Sequence, residues 1–546
     1  MFRALKQVLA KTERDEDVFD VQELREALES ADTAAQEGRR GPQLLGGVAA
    51  ILQKLWQSES RYLVEAAEAL ANASRDQPAQ AQVATNRLGY ILLKQINDGA
   101  IQGNALLNFT YELVEMTAGQ AEGIENSPDG TIVLMMNIAL QEDTTFAQYT
   151  CLVTCLAQYL QTERFQTASI RHKLVEHIIS VLERSFTIEV DESVSEDVQL
   201  LNQLRLKLNQ TLGDISALPT FLETYPIGSP LIDTLQSWLT QRQETLQICA
   251  CVVLGNVART DEICQLMIDQ LNIHRALIHN LNNNTIGGVL HASLGFLKNL
   301  SIAESNREKL GDAGIIPAVS KIWTYDTVPQ VQLAATSVTR LVIASNIKNI
   351  SRLLTSLSSD PDSPAHSRTY LSMLLSLCGR TDTAPIKTEI GRIICSICRT
   401  LLSRKDAADV DDETPALLYR LFDLHKDIAR PVGAMITQTE WPVVRSEGWF
   451  ALALMASHDR GCPAVVDCLI DTDIYTQVEK SLDVTDDEST PATEAVATNE
   501  QLQRKGDRDN LVIMVKELLS RDPESLPKVK KDRLRELMNR AISLRS

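Results

Sequence analysis

Aromatic residues make up only 5% of this 546-residue chain, although hydrophobic residues reach 44%. A core is available, but it must be built from Leu, Ala, Val and Ile rather than from rings. Long apolar runs are missing as well. None approaches the roughly 18 residues that a membrane span requires. Basic charge is in deficit, with 53 Lys and Arg against 72 Asp and Glu, a net charge of −19. That argues against nucleic acid as a direct partner, because phosphate binding needs a basic footprint. A basic protein surface or tail is the better electrostatic match.

Catalytic signatures are also missing. There is no G-x-x-x-x-G-K-[ST], so the chain is not itself a P-loop GTPase or ATPase, and neither G-x-S-x-G nor H-E-x-x-H occurs. The ten cysteines are scattered, mostly inside apolar runs. They read as reduced, buried thiols of a cytosolic or nuclear chain, and a cytoplasmic location is expected. Cys395 and Cys398 form a lone CxxC without a second pair or a nearby His, and Cys151 and Cys155 read as core. His172 and His177, like His274 and His279, are five apart and share no helix face. Neither metal nor cofactor is expected. Residues 1–13 lack the apolar centre of a signal peptide, and the acidic ERDED that follows argues against a transit peptide. The start Met1-Phe2-Arg3 leaves no glycine for myristoylation.

What the chain does have is a period. In LGNVARTDEICQLMID (254–269) and LKNLSIAESNREKLGD (297–312), Asn256 and Asn299 align at a spacing of 43. VQLAATSVTRLVIAS (331–345) puts Arg340 at the same place, and LNQTLGDISAL (208–218) puts Asp214 there. Upstream, Asn72 and Asn108 stand 36 apart. A period of about 40–47 residues is that of armadillo or HEAT repeats. Within VLHASLGFLKNLSIAESNREKLGDAGIIPAV (289–319) the signals number three helices. Leu290, Leu294 and Leu297 form a buried stripe. Ser305 and Glu308 match a capping box that opens a short helix. Gly314 ends it, and Pro317 falls in the first turn of the next. Three helices per period favour armadillo. The expected fold is therefore an all-α, right-handed armadillo-type solenoid, acting as a monomer.

The expected organisation is an N-terminal helical segment (1–37), a flexible joint at GRRGPQLLGG (38–47) and the repeat array (48–483). An acidic disordered insertion (484–505) and C-terminal helices (506–546) follow. Stacked repeats share one continuous core and expose a long concave surface suited to an extended or large partner. On a helical wheel Asn299 falls opposite Leu290, Leu294 and Leu297, beside Gly295 and Phe296. There its amide offers a donor and an acceptor to a ligand backbone. Alternatively, each such Asn ties down the backbone of a neighbouring repeat.

The stretches QICACVVLGNVARTDEICQLMID (247–269) and VLHASLGFLKNLSIAESNREKLGDAGIIPAVSKIW (289–323) resemble one family, the small-GTPase GDP-dissociation stimulators, or SmgGDS-like armadillo proteins. PQVQLAATSVTRLVIAS (329–345) and RSEGWFALALMASHD (445–459) continue the likeness. The resemblance implies a chain that binds polybasic, prenylatable Rho- and Rap-type small GTPases and promotes GDP release or chaperones them. It also implies a groove of last-in-repeat helices for the switch region, an acidic patch for the basic tail and an apolar cleft for a prenyl group. Carried onto this chain, the groove positions are Asn256 and Asn299; with Val252, Gly295, Phe296, Asp214 and Arg340 they make up the expected partner-binding set. Arg340 departs from the asparagine pattern. Two other readings stay open: an importin-like adaptor, and a scaffold of the vacuole or junction type. The first would pair each Asn with a Trp four residues earlier, where Val252 and Gly295 stand.

Overall fold

The computed structural model describes residues 88–99, 104–190, 193–403, 413–483, 499–521 and 523–543. The expected N-terminal segment, the joint at 38–47 and Asn72 lie outside them, as does 484–498 of the acidic insertion. Among the described residues there are 27 helices and no strand; a single antiparallel bridge joins Ser356 to Thr369. None of these helices is long and apolar enough to cross a membrane. The all-α solenoid is thus what the described residues form. They divide into two compact units, one up to Thr234 and one from Leu235 onward.

In the first unit, α1 (Asn104–Ala118), α2 (Phe146–Tyr159) and α4 (Ser195–Ala217) pack in succession, with α3 (Val175–Arg184) against α4. Buried tyrosines tie these layers together. Tyr149 donates to the Val181 carbonyl at 2.7 Å, and the Ser127 and Tyr159 hydroxyls are 2.7 Å apart.

The second unit repeats a three-helix module. Its first helices are α5 (Glu244–Val257), α6 (Asp261–Asp269) and α7 (Ile273–Asn283). Then come α8 (Gly287–Leu300), α9 (Glu304–Asp312) and α10 (Ile315–Ile322), followed by α11 (Pro329–Ile343), α12 (Ile347–Leu353) and α13 (Tyr370–Arg380). The pattern continues with α14 (Ala384–Leu402), α15 (Thr414–Asp423) and α16 (Arg430–Thr437). It ends with α17 (Pro442–Ala456), α18 (Cys462–Cys468), α19 (Thr472–Leu482), α20 (Asn499–Arg521) and α21 (Lys528–Ser543). The long helices α5, α8, α11, α14, α17 and α20 lie side by side as a ladder, each packed on the next.

Local sequence sets the helix starts. Proline occupies one of the first two positions of α11, α14, α15, α16, α17 and α18, where its missing N–H costs nothing. Thr260, Asn346, Thr369 and Asp471 cap α6, α12, α13 and α19 through their side chains. Gly314 takes φ +86° between α9 and α10, a conformation that glycine adopts without a Cβ penalty. Ser305 does not open α9. The helix begins at Glu304 after Ala303, with no side-chain cap. Tertiary bonds take over that junction: Asn306 Nδ2 donates to the Leu300 carbonyl at 3.0 Å, and Arg307 Nη1 donates to the Ala344 carbonyl at 2.9 Å. α20 starts at Asn499, within the range expected for the acidic insertion.

The leucine stripe of α8 is buried, with Leu290, Leu294 and Leu297 at most 1% exposed. Three of the five tryptophans serve the core: Trp238, Trp323 and Trp449 are fully buried.

Candidate partner-binding face

One side of each ladder helix is core and the other is open. On α5 the open stripe runs through Val252, 37% exposed, and half-buried Asn256, which has an interaction of its own. On α8 it runs through His291, Gly295 and Lys298, with Asn299 half-buried at its edge. A Cβ built on Gly295 would meet nothing within 4 Å. Val252, Asn256, Gly295 and Asn299 therefore share one face. Phe296 does not belong to it. It is 1% exposed and packs over Gly255 of α5, because the gap left by that glycine accepts a ring and the wheel position one step from Gly295 turns inward.

Asn299 is tied down. Its Nδ2 donates to the Gly255 carbonyl at 2.9 Å. That carbonyl lies in the last turn of α5, where helix carbonyls lack an intrahelical donor. The next available amide, Arg259 N, bonds to the Val257 carbonyl instead. Asn299 thus supplies a missing bond between adjacent ladder helices.

Arg340 opens a charged row. Its Nε donates to Glu389 of α14 at 2.7 Å. Glu389 also accepts from Arg392 at 3.2 Å, and Arg392 Nε donates to Glu447 of α17 at 2.9 Å. Its bond to the Glu447 carboxylate holds the Arg392 guanidinium more firmly protonated. Three helices are thereby laced by alternating charges, with all four side chains less than one-third exposed. The row bears on Arg340's departure from asparagine: the residue exchanges a neutral cross-helix bond for an ionic one. Glu389 and Glu447 escaped the sequence reading, although IKTEIGR and RSEGW carry the signal of opposite charges at helical spacing.

Asp214 is exposed on α4 and Asn108 on α1, both in the first unit. That unit also holds a one-signed segment. Residues 101–150 carry seven carboxylates and no Lys or Arg, and Glu112, Glu115, Glu125, Glu142 and Asp143 are exposed. Four of the six ladder helices, α8, α11, α14 and α17, show the reverse, with six Lys or Arg and two Glu.

Among the described residues no group of His, Cys, Asp and Glu could hold a metal ion. Burial pushes the Cys395 thiol well above its usual range and that of Cys398 up to about 12, as suits core thiols. An open cleft of about 660 Å³ between α16 and α19 is lined by Arg430, Asp467, Asp471, Asp473, Ile470 and Ile474. With Trp238, Trp323 and Trp449 buried, no tryptophan row faces the ladder beside Asn256 and Asn299 among the described residues.

These features define an armadillo-type helical solenoid with an open ladder face. Solved structures agree on the fold. SYS-1 matches with a TM-score of 0.55 at 10% identity, covering 99% of this chain and 98% of that one. A chain from a structure of the interaction between cadherin and beta-catenin matches with a TM-score of 0.53 at 16% identity, covering 93% and 94%. No family model matches the sequence. Among curated proteins the chain is similar to Rap1 GTPase-GDP dissociation stimulator 1-B of Xenopus laevis, 25% identical over 247 residues, 45% of this chain. It is also similar to the GTPase-GDP dissociation stimulator vimar of Drosophila melanogaster, 29% identical over 98 residues, 17% of this chain. The matches span 38% and 15% of those relatives' own lengths.

Proposed function

We propose that this chain binds small GTPases of the Rho or Rap type through their polybasic, prenylatable C-terminal tails and stimulates GDP release. The similarity to the Rap1 stimulators over 247 residues carries this reading. The acidic stretch 101–150 supports it, since a basic tail would meet exposed carboxylates there with no competing cation in the segment. The expected groove residues Val252, Asn256, Gly295 and Asn299 stand ready as contacts for the GTPase body, while Asn299 also does structural work. The cleft between α16 and α19 has a carboxylate rim that suits a cation better than a prenyl chain.

Exchange of this kind breaks no covalent bond. The chain need only bind the nucleotide-free GTPase better than the GDP form, and each difference of about 1.4 kcal/mol raises the dissociation constant of GDP tenfold. Acidic attraction of the tail speeds encounter and weakens with salt. The test is release of mant-GDP from a panel of Rho- and Rap-type GTPases, with and without their basic tails. Faster release that depends on the tail is expected. No acceleration and no complex with any member would refute the reading.

A further inference from the structure

The charge of the ladder face runs against that of the chain. Across α8, α11, α14 and α17 cations outnumber anions three to one in a protein of net charge −19. The two anions, Glu389 and Glu447, are consumed by Arg340 and Arg392. Lys298 and Arg399 are exposed and make no ion pair among the described residues. Arg399 instead lies over the Phe450 ring of α17, 5.4 Å from its centroid.

Apolar groups sit beside these cations. Phe450 and Leu454 are half-buried, and Val443, on the same stripe of α17 as Glu447 and Leu454, is 61% exposed. Just before the helix Trp441 is 64% exposed. Its backbone is fixed, because Gln438 Nε2 donates to the Trp441 carbonyl at 2.6 Å and Trp441 N donates to Gln438 Oε1 at 2.8 Å. A large ring on a backbone held in place is the kind of group that anchors a protein interface at low entropic cost. The side chains of Trp441 and Val443 are thus largely outside the core.

We propose that the α14–α17 part of the ladder face is a docking surface for an acidic segment of a partner protein with apolar side chains interleaved. Arg399, backed by Phe450, receives a carboxylate of the segment. Arg340 and Arg392 are neutralised by Glu389 and Glu447, so the positive excess of the strip comes from Lys387, Arg399 and Arg445. Trp441, Val443 and Leu454 take the apolar side chains. Guanidinium groups pair with carboxylates bidentately, which sets the register of the segment. A polybasic segment would meet like charge here. Nucleic acid would meet the right charge but would leave Trp441 and Val443 without apolar partners and would face a net charge of −19. The identity of the chain's GTPase has no bearing on this surface, and a failure of the mant-GDP test would leave it standing.

Fluorescence anisotropy with the full chain tests it. The probe is a fluorescein-labelled 16-residue peptide alternating Glu or Asp with Leu and Phe. The comparison probes are the same peptide with Lys in place of the acids, a 16-nucleotide single-stranded DNA and phosphatidylserine vesicles. The acidic peptide is expected to bind more tightly than all three and to weaken as salt is raised from 50 to 200 mM. Arg399→Glu should weaken it about tenfold and Trp441→Ala severalfold, with circular dichroism melts unchanged because both side chains are exposed. Arg171→Glu, on an exposed site of the first unit, should have no effect. The proposal falls if the acidic peptide fails to bind, if any comparison probe binds as tightly, or if Arg399→Glu leaves its affinity untouched.

Discussion

Asn299→Ala separates two physical roles for the residue that aligns the repeats. The sequence alone favours an amide facing a partner, so its loss should weaken binding and spare the fold. The structure places that amide on the Gly255 carbonyl at 2.9 Å, an acceptor at the end of α5 with no backbone donor. Removing Nδ2 deletes one neutral hydrogen bond, worth about 0.5–1.5 kcal/mol net, and leaves the carbonyl of a buried glycine short of a donor, at a cost of about 1–3 kcal/mol. Asn299 is only half-buried, so water can reach part of the vacated space. The expected loss is about 1–1.5 kcal/mol. Asn299→Asp should cost more, about 2 kcal/mol, because its carboxylate cannot donate and would set oxygen against oxygen at the negative end of a helix. Urea titrations followed by far-UV circular dichroism measure both variants. Hydrogen exchange over residues 250–258 localises the effect to the end of α5. A loss below about 0.3 kcal/mol, with Asn299→Asp no worse than Asn299→Ala, would refute the clamp and return Asn299 to the partner.

Other perturbations probe the rest of the ladder. Glu389→Ala strips Arg340 of its acceptor and leaves Arg392 with Glu447 alone, so about 1–2 kcal/mol should be lost. The double variant with Arg340→Ala should cost less than the sum of the single ones, and additivity in urea titrations would show that the row is idle. Gly311→Ala would drive a methyl onto Asn349 Oδ1 and Arg352 Nη1, so a drop of about 1–3 kcal/mol is expected; a wild-type midpoint would contradict that packing. Stability should fall with acid. Burial depresses the pKa of His425, which is 2% exposed, and also those of His274 and His458. The His425 Nδ1–H faces the Arg420 and Leu421 carbonyls, so its Nε2 accepts from Thr369. Between the lowered folded pKa and the unfolded value of 6.5 the unfolded chain binds more protons, so stability is intact above that value and is lost as pH falls below it. Urea midpoints from pH 7.5 to 5 should show this, with a shallower slope for His425→Gln; equal slopes would exclude His425 as a cause.

The sequence made one part of the fold readable, for a physical reason. Where the module is short, as from Glu244 through Gly287 to Pro329, polar positions recur at a steady spacing and the leucine stripes follow them. Beyond Arg340 the ladder helices start at Ala384, Pro442 and Asn499, because longer connections, such as the one closed by the Ser356–Thr369 bridge, enter the period. The period is lost to inspection although the packing continues. The site was legible to a smaller degree. Periodicity put Val252, Asn256, Gly295 and Asn299 on one face, but a wheel cannot tell the open stripe from its inward neighbour, which is where Phe296 lies. Nor can it find bonds that span two repeats, such as Asn299 to Gly255 or Arg392 to Glu447. Those depend on the offset between adjacent helices, which side-chain packing sets.

The same offset explains why ladder positions can change chemical type without loss of the fold. Between α5 and α8, α11 and α14, and α14 and α17, a lateral polar bond meets a need near the open face, where apolar packing gives way to water. Asn299 meets the need with an amide on a carbonyl, Arg340 with a guanidinium on Glu389, and Arg392 with one on Glu447. An amide is neutral, and the row sets two arginines against two glutamates, so neither kind of bond charges the face. On α14 and α17 arginine is in excess. That excess, Arg399 and Arg445 together with Lys387, lies outside the row, so lateral cohesion and surface charge vary separately in this part of the ladder: the bonds between helices can change from amide to ion pair without charging the face, and the positive charge is added by residues outside those bonds, while the chain as a whole remains strongly acidic.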